Sequence, residues 1–517
     1  MREKWDRPTS GSTYGAITIR KAINTLQGGY NPQAYSQKQA GNVAAPETDR
    51  RVTLADLHPE RNPRYHWGDL GNGNLFADWY RAVARYCPER KTWYVYDGTR
   101  WVSDTGNVRT MQLCKQLADA LVIYALSLPE GSERDSYRAH VEKWQNRRYR
   151  ETILKDAGSV FPVPISEFDR DKYLYNCLNG TLDLRTFDFR PHNSKDMLTL
   201  ISGVSYNPDI TSPLWEKSVN DAMEGERDKI VFLQKIFGRC LTGDTSEERM
   251  YILYGRTSRN GKGTILESFM AMSGGYGRAV SPDSITQKQM FNGSGPTEEI
   301  ARLAGARVAN ISEPDKNMVL SAALVKSLTG NDTIRARYLY ENSFEFRPQF
   351  KMIINCNYLP KITDSTVFTF GRICVVPFNR HFRPEERDTR LKEKLSQPEN
   401  LSGILNWCLH GLRLIGETGF DPPPLVTEAT NEYWTESDKA KRFFDEFLVK
   451  DPQGEIRSEE VYQRYSAWCS LNGQLPESSE NFKKNMEPFM VCRRKRPAGA
   501  GKGANPMRMF CGVRWKG

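Results

Sequence analysis

The sequence predicts an α/β fold built on a largely parallel sheet, and three observations carry that expectation. A short apolar strand, Tyr251-Ile-Leu-Tyr254, feeds a glycine-bounded loop that ends at Lys262 and opens into a helix-like run, Ile265 to Met272. About fifty residues on, Arg307-Val-Ala-Asn-Ile-Ser312 is an apolar-biased strand closed by an acid, Glu313. Across residues 206–385 helical patterns alternate with apolar strands, the order expected of helices laid on a parallel sheet.

The loop is the first element to justify. Gly255, Arg256, Thr257, Ser258, Arg259, Asn260, Gly261, Lys262, Gly263 and Thr264 form a strand–loop–helix joint suited to a nucleoside triphosphate. Backbone N–H groups and a helix N-terminus cradle phosphates, and the lysine neutralises their charge. Two departures stand out. Five residues, Arg256 to Asn260, separate the first glycine from the Gly-Lys pair, where four are usual. Gly263 also stands where a Ser or Thr normally ligates Mg²⁺, with Thr264 one step later. On this stretch alone, an ordinary strand–turn–helix joint is an equal alternative.

Downstream residues extend the pattern. Glu313 sits where a nucleotide-binding fold needs a carboxylate to orient the attacking water or Mg²⁺, and Asp315 lies just beyond Pro314. A plain Ser-Glu-Pro turn is the alternative. Thr333 to Tyr340 alternates as a strand, and Glu341-Asn342 turns into a second strand at Phe344. This hairpin carries Arg335, Arg337 and Tyr338. Basic residues interleaved with aromatics suit a contact to single-stranded nucleic acid, where stacking is worth roughly 1–3 kcal/mol per base; a solvated edge hairpin is the bland reading. Phe350 to Asn357 reads as a buried strand whose polar end offers an amide to position water at a terminal phosphate. Arg372, before the apolar strand Ile373 to Pro377, has the rigid mount an arginine finger needs to reach a neighbouring subunit.

Taken together, Asn260-Gly-Lys262, the lone strand-end Glu313, Lys326-x-x-Thr-Gly-Asn-Asp332, Asn357-x-Leu-Pro360 and Arg372 before Val-Val-Pro-Phe378 resemble a superfamily 3 helicase. The resemblance is to the branch of poxvirus and phage or plasmid primase-helicases. It extends to Asn176-Cys-Leu-Asn-Gly-Thr-Leu-Asp183, Pro213-Leu-Trp215, Leu401 to Trp407 and Tyr433 to Asp438, and spans roughly residues 66–450. It implies an AAA+-like phosphate-loop ATPase using ATP and Mg²⁺. In that reading Lys262 and the Gly255–Gly261 loop hold the triphosphate, and Glu313 is the acidic strand-end residue. Asn357 is the polar sensor, Arg372 acts in trans, and Lys326, Arg335 and Arg337 face a central DNA channel. With Gly263 in place of serine, the metal-side candidates are Thr264 and Glu313, or water.

Composition narrows the class. The 517 residues suffice for three or more domains, and 38% hydrophobic content with a mean hydropathy of −0.63 fits a soluble protein. No apolar run reaches the roughly 18–20 residues of a membrane span, and the N-terminus lacks a signal-peptide core. The ten cysteines contain no C-x-x-C pair and the six histidines are dispersed, which argues against a disulfide framework or zinc site and for a reduced, cytoplasmic setting; the resemblance to phage and plasmid proteins implies a bacterial host cell. The net charge of +10 is uneven: Pro488 to Gly517 holds eight Lys/Arg and no Asp/Glu, pointing to a polyanion partner.

Five regions follow. Residues 1–64 read as a basic, mostly disordered extension with a short helix near Ile17 to Leu26, or as an arm on a neighbouring subunit. They are too short for the primase module many family members carry, so a separate primase or polymerase is expected. Residues 65–205 mix an aromatic hairpin, Trp93 to Trp101, with helices at Met111 to Leu128 and Ser136 to Ala157, and by resemblance form a collar. Residues 206–385 hold the ATPase and 386–447 a helical segment, including a helix from Ala429 to Leu448. Residues 448–517 read as a winged-helix-like basic domain, with Arg493, Arg494, Lys495 and Arg496 meeting DNA phosphates; a flexible basic tail is the rival. The expected function is a ring-forming, hexameric, 3′–5′ DNA helicase acting on single-stranded and forked DNA in phage, prophage or plasmid replication. An ATP-dependent initiator or loader without processive unwinding stays open, as does a nucleotide-binding structural or defence protein.

Overall fold

The structure, a computed structural model, describes residues 8–9, 12–13, 53–286, 298–315, 318–339, 342–362, 366–369, 371–472, 476–495 and 505–516. These divide into two units, Met1–Pro59 and Glu60–Gly517. In the first, Pro8–Thr9 pairs antiparallel with Ser12–Thr13, and a one-turn helix, Leu54–Leu57, is closed by a Thr53–Asp56 capping box. The helix expected near Ile17 to Leu26 lies outside the described residues.

The second unit begins with helix α1 (Asp69–Trp79) and a three-stranded antiparallel sheet, β1 (Ala84–Cys87), β2 (Thr92–Tyr96) and β3 (Trp101–Ser103). The expected hairpin is present, and Trp93 and Trp101 are core residues, 4% and 2% exposed. Helix α2 (Val108–Ser127) follows, then α3 (Ser132–Val141) and α4 (Arg147–Ala157). The single helix expected over Ser136 to Ala157 is thus two. The break falls at Glu142–Gln145, a turn of 3₁₀ helix whose Trp144 and Gln145 carbonyls accept from Arg150. A second antiparallel sheet comprises β4 (Leu174–Cys177), β5 (Gly180–Asp183) and β6 (Phe189–Arg190).

Helices α5 (Pro213–Ala222) and α6 (Arg227–Leu241) lead into the central sheet. Its strands are β7 (Met250–Tyr254), β8 (Gly277–Val280), β9 (Val308–Ser312), β12 (Lys351–Cys356) and β13 (Ile373–Pro377), while β10 (Ile334–Ala336) and β11 (Phe344–Phe346) form a separate hairpin. Spatial order is β8-β9-β12-β7-β13, every pairing parallel. The apolar runs fit strands covered on both faces. Alternate residues feed two cores: Tyr251, Leu253, Val308, Ile353, Cys374 and Val376 into one, Met250, Ile252, Ala309, Ile311, Met352 and Ile354 into the other. The first core is completed by α5, α6, α7 (Lys262–Ser273) and α9 (Pro398–Thr418), the second by α8 (Ala322–Thr329) and α10 (Pro424–Ser437). Tyr175, Cys177 and Leu182 of β4 and β5 also enter the first core, which therefore runs across position 205.

The helix expected from Ala429 to Leu448 is likewise two. Helix α10 stops at Ser437, and the Asp438 carboxylate accepts from the Lys441 N–H to start α11 (Lys439–Phe447). Phe443 and Phe444 of α11 sit in the carboxy-terminal core with β14 (Leu448–Arg457), α12 (Ser458–Leu471), α13 (Ser479–Met486), β15 (Val491–Lys495) and β16 (Met507–Trp515). The first residue of that core is Ala440, on α11. Strand β14 is new relative to the sequence reading; its pairing with β16 shifts register between Lys450 and Glu455, around Pro452 and Gly454.

Candidate nucleotide site and its surroundings

Because all five central strands run parallel, their carboxyl ends share one edge, and the loops leaving β7, β9 and β12 meet there. After β7 the chain makes the loop Gly255–Gly261. Gly255 lies so close to its neighbours that a Cβ would stand 2.2 Å from Asn260 Nδ2 and 2.5 Å from the Phe378 carbonyl oxygen. Asn260, 3% exposed, donates through Nδ2 to the Thr257 carbonyl at 2.7 Å, and His381 Nδ1 sits 3.0 Å from the Ser258 carbonyl. Arg259 takes a left-handed backbone at φ 64°, and Gly261 follows at φ 86° as the N-cap of α7. The loop is closed from its far side by the Phe382 N–H, which donates to the Arg259 carbonyl.

Lys262 opens α7 and is 3% exposed. Its ammonium donates to Asn357 Oδ1 at 2.9 Å, so the loop lysine and the amide beyond β12, far apart in sequence, are in contact. Burial pushes the lysine down to about 8, with no carboxylate among the causes. A desolvated cation held by a neutral amide is incomplete, and phosphate oxygens would complete it. Helix α7 presents its first turn to the same place, and this cradle fits a triphosphate. Gly263 and Thr264 are partly exposed on that turn; a Cβ at Gly263 would meet only Glu267 Oε1, at 3.8 Å.

Glu313 follows β9 and is exposed, with its N–H donating to the Asn355 carbonyl at 3.0 Å. Its φ of 51° is left-handed for a non-glycine residue, an arrangement that concentrates at functional sites. It shares the carboxyl edge with Lys262 and Asn357, the sets the sequence singled out.

Arg372 lies elsewhere. It precedes β13, and Ile373 pairs with Met250, the first residue of β7. At about 3.3 Å per residue, the five-residue strand puts it some 16 Å from the loop edge. Its guanidinium is anchored on this chain: Nη2 pairs with Glu248 Oε2 at 2.7 Å, and Nη1 donates to the Lys326 carbonyl at 3.2 Å and Thr329 Oγ1 at 3.1 Å. Thr329 Oγ1 in turn donates to the Val325 carbonyl, and Asn331 Oδ1 accepts from Thr245 Oγ1 at 2.9 Å. The Lys326-to-Asp332 motif therefore holds Arg372, a role the sequence reading did not assign to it. Glu248 was missed altogether. It stands two residues before β7, at the strand end where Ile373 pairs with Met250.

The hairpin consists of β10 (Ile334–Ala336) and β11 (Phe344–Phe346), antiparallel, with Arg335 opposite Glu345. Arg335 is exposed and donates to Ser343 Oγ; Arg337 is exposed at the turn, and Leu339 is 51% exposed. Tyr338 corrects the expectation of an open stacking ring. It stacks on Phe344 at 5.8 Å, carries the Arg90 guanidinium 4.3 Å above it, and donates its hydroxyl to the Ala301 carbonyl. Of the carboxy-terminal basic set, Arg493 and Arg494 are exposed on β15 while Lys495 pairs with Glu455; Arg496 lies outside the described residues. Among the described residues no group of three or more His, Cys, Asp or Glu is placed to hold a metal ion, and no helix is long and apolar enough to cross a membrane.

Four family models match the chain. "D5 N terminal like" covers residues 73–224, "Poxvirus D5 protein-like" residues 435–498, a family of unknown function residues 253–372, and "NrS-1 polymerase HBD domain" residues 1–32. "Putative helicase 022R" of Frog virus 3 is 32% identical over 245 residues, 44% of this chain and 25% of that protein. "Putative helicase L207/L206" of Acanthamoeba polyphaga mimivirus is 26% identical over 366 residues, 66% of this chain and 38% of that protein. The chain thus spans well under half the length of these viral relatives. A 32-residue segment, 6% of the chain, is 59% identical to 4% of the "DNA Primase-polymerase" of Nitratiruptor phage NrS-1. A solved structure of the NrS-1 C terminal region aligns with a TM-score of 0.44 at 10% identity, covering 86% of this chain and 99% of that one. D5 models thus match on both sides of the Lys262 site, and over these stretches the chain is similar to the helicase portion of D5-like primase-helicases.

Proposed function

We propose that this chain is the motor of a ring-forming, ATP-dependent DNA helicase acting in replication, with an AAA+-like ATPase core. The observation that carries the reading is the Lys262–Asn357 contact at the carboxyl edge of a five-stranded parallel sheet, with the chain's own Arg372 at the opposite end. ATP, with Mg²⁺, supplies the phosphoanhydride whose hydrolysis drives the cycle. Lys262 and the Gly255–Gly261 N–H groups bind and neutralise the phosphates, and Asn357 orients the lysine and a water. Glu313 would orient that water or the metal ion, and with Gly263 lacking a hydroxyl, Thr264 or water would hold the metal on the helix side. Arg372 is too far from its own loop to act there and serves the loop of an adjacent copy, which requires an oligomer, in this reading a hexamer.

Arg372 is also bonded to the end of α8, and α8 leads directly into the Arg335/Arg337 hairpin. A change at the shared nucleotide site therefore reaches the hairpin through Lys326 and Thr329, moving it along one DNA strand, 3′ to 5′. The carboxy-terminal domain, with its helix–strand–helix–helix–strand–strand order, suits a winged helix whose Arg493 and Arg494 touch phosphates. The match of residues 1–32 to a polymerase domain favours a polymerase linked to this motor over the separate partner expected from the sequence.

Complementation tests the shared site. Arg372→Ala and Lys262→Ala proteins are each expected to lose ATP turnover, with Arg372→Ala still binding nucleotide. Mixed rings contain interfaces with both wild-type residues, so mixing should restore part of the turnover. No recovery at any mixing ratio would rule out an arginine acting between copies.

A further inference from the structure

Outside the Lys262 site, an open cleft of about 1400 Å³ lies between β1 and β2, the start of α2, and α4. It exceeds the roughly 300–1,000 Å³ of pockets that enclose small molecules, so its dimensions suit a segment of polymer. Six cations line it: Lys91, Arg109, Lys115, Arg147, Arg150 and Lys155. The one carboxylate in the lining, Glu151, already accepts from Arg147 at 2.8 Å. Like charges gathered in one concavity repel, and an anion that spans several of them relieves this.

A second observation points the same way. Arg150 is 8% exposed, and its Nη1 is used by the Trp144 and Gln145 carbonyls at 2.7 Å each. Its Nε is buried without a hydrogen-bond partner. The two carbonyls fix the Arg150 guanidinium in the wall of the cleft, where the single lining carboxylate is taken by Arg147. The rim at Gly106 to Arg109 is also the amino-terminal end of the 20-residue α2, which adds partial positive charge beside the lysines.

We propose that this cleft binds the sugar-phosphate backbone of single-stranded DNA, a contact separate from the Arg335/Arg337 hairpin. The inference rests on the DNA-binding part of the proposed function but not on unwinding. Binding would be independent of sequence, because lysines and arginines on phosphates position a strand without reading its bases.

The test uses the full chain without nucleotide and a fluorescein-labelled oligothymidylate, followed by anisotropy against salt concentration. Lys91→Glu/Arg109→Glu/Lys115→Glu is expected to weaken binding and to reduce the magnitude of the log–log salt slope by about 2, at roughly 0.7 per lost contact. The milder Lys91→Gln/Arg109→Gln/Lys115→Gln should move both quantities in the same direction and melt as the wild type does. The loss should add to that of Arg335→Ala/Arg337→Ala. An unchanged affinity and slope in the glutamine variant would overturn the proposal, as would displacement of the oligonucleotide by polyglutamate as readily as by unlabelled oligothymidylate, which would assign the cleft to an acidic protein segment. Cleft-dependent binding by a chain that opens no fork would uphold this inference and count against the helicase reading.

Discussion

At the residue scale the chemistry rests on Lys262, a buried ammonium whose partner is the neutral Asn357 amide. Its pKa, pushed down to about 8 by burial, sets a pH dependence. Only the protonated form attracts phosphate, so nucleotide affinity should be full below pH 8 and fall as pH rises through it, by up to about tenfold per unit. Titration with a fluorescent nucleotide on either side of pH 8 measures this, and Lys262→Arg, charged throughout, should flatten the profile. A wild-type profile that is flat across pH 8 would contradict the burial argument. Two glycines of the same loop are expected to behave oppositely. Gly255→Ala forces a Cβ against the Phe378 backbone carbonyl and should cost about 1–3 kcal/mol in chemical denaturation. Gly263→Ser meets nothing nearer than Glu267 Oε1, and should change stability by no more than about 0.5 kcal/mol while returning a hydroxyl to the helix start.

At the element scale the hairpin offers Arg335 and Arg337, with Tyr338 turned into the protein. Arg335→Ala/Arg337→Ala should therefore reduce the salt slope of single-strand binding by about 1.4, two contacts at roughly 0.7 each, without removing a stacking contribution. Tyr338→Phe, which keeps the ring between Arg90 and Phe344, should leave the slope alone. A slope unchanged by the double substitution would remove the hairpin from the interface. Elements with strong local signals were legible in the sequence: β7, α7, β9, β12 and β13 follow from apolar runs and glycines. Those that depend on distant partners were not. Strand β14 contains Pro452 and Gly454, which locally read as a turn, and only β16 beside it makes a strand. The α10–α11 break at Asp438 hides inside an unbroken helical pattern, because a cap formed by one carboxylate barely alters periodicity.

At the scale of the whole molecule, the parallel sheet separates the two halves of the site. The shared strand direction places Lys262, Asn357 and Glu313 at one end and Arg372 at the other, so in the proposed reading one copy of the chain holds parts of two half-sites. The residue types were legible, since a lysine after a glycine loop, a strand-end acid and an arginine before a strand are local features. Their coupling was not: the Arg372–Glu248–Thr329 cluster joins three segments that only the register of β13 on β7 and the packing of α8 bring together. The central claim is that this arrangement drives strand separation. It is tested most directly by incubating forked DNA bearing a 3′ or a 5′ tail with ATP and Mg²⁺, for the wild type beside Lys262→Ala. The account predicts unwinding that requires the 3′ tail and disappears in the variant. ATP hydrolysis with neither fork opened would contradict it.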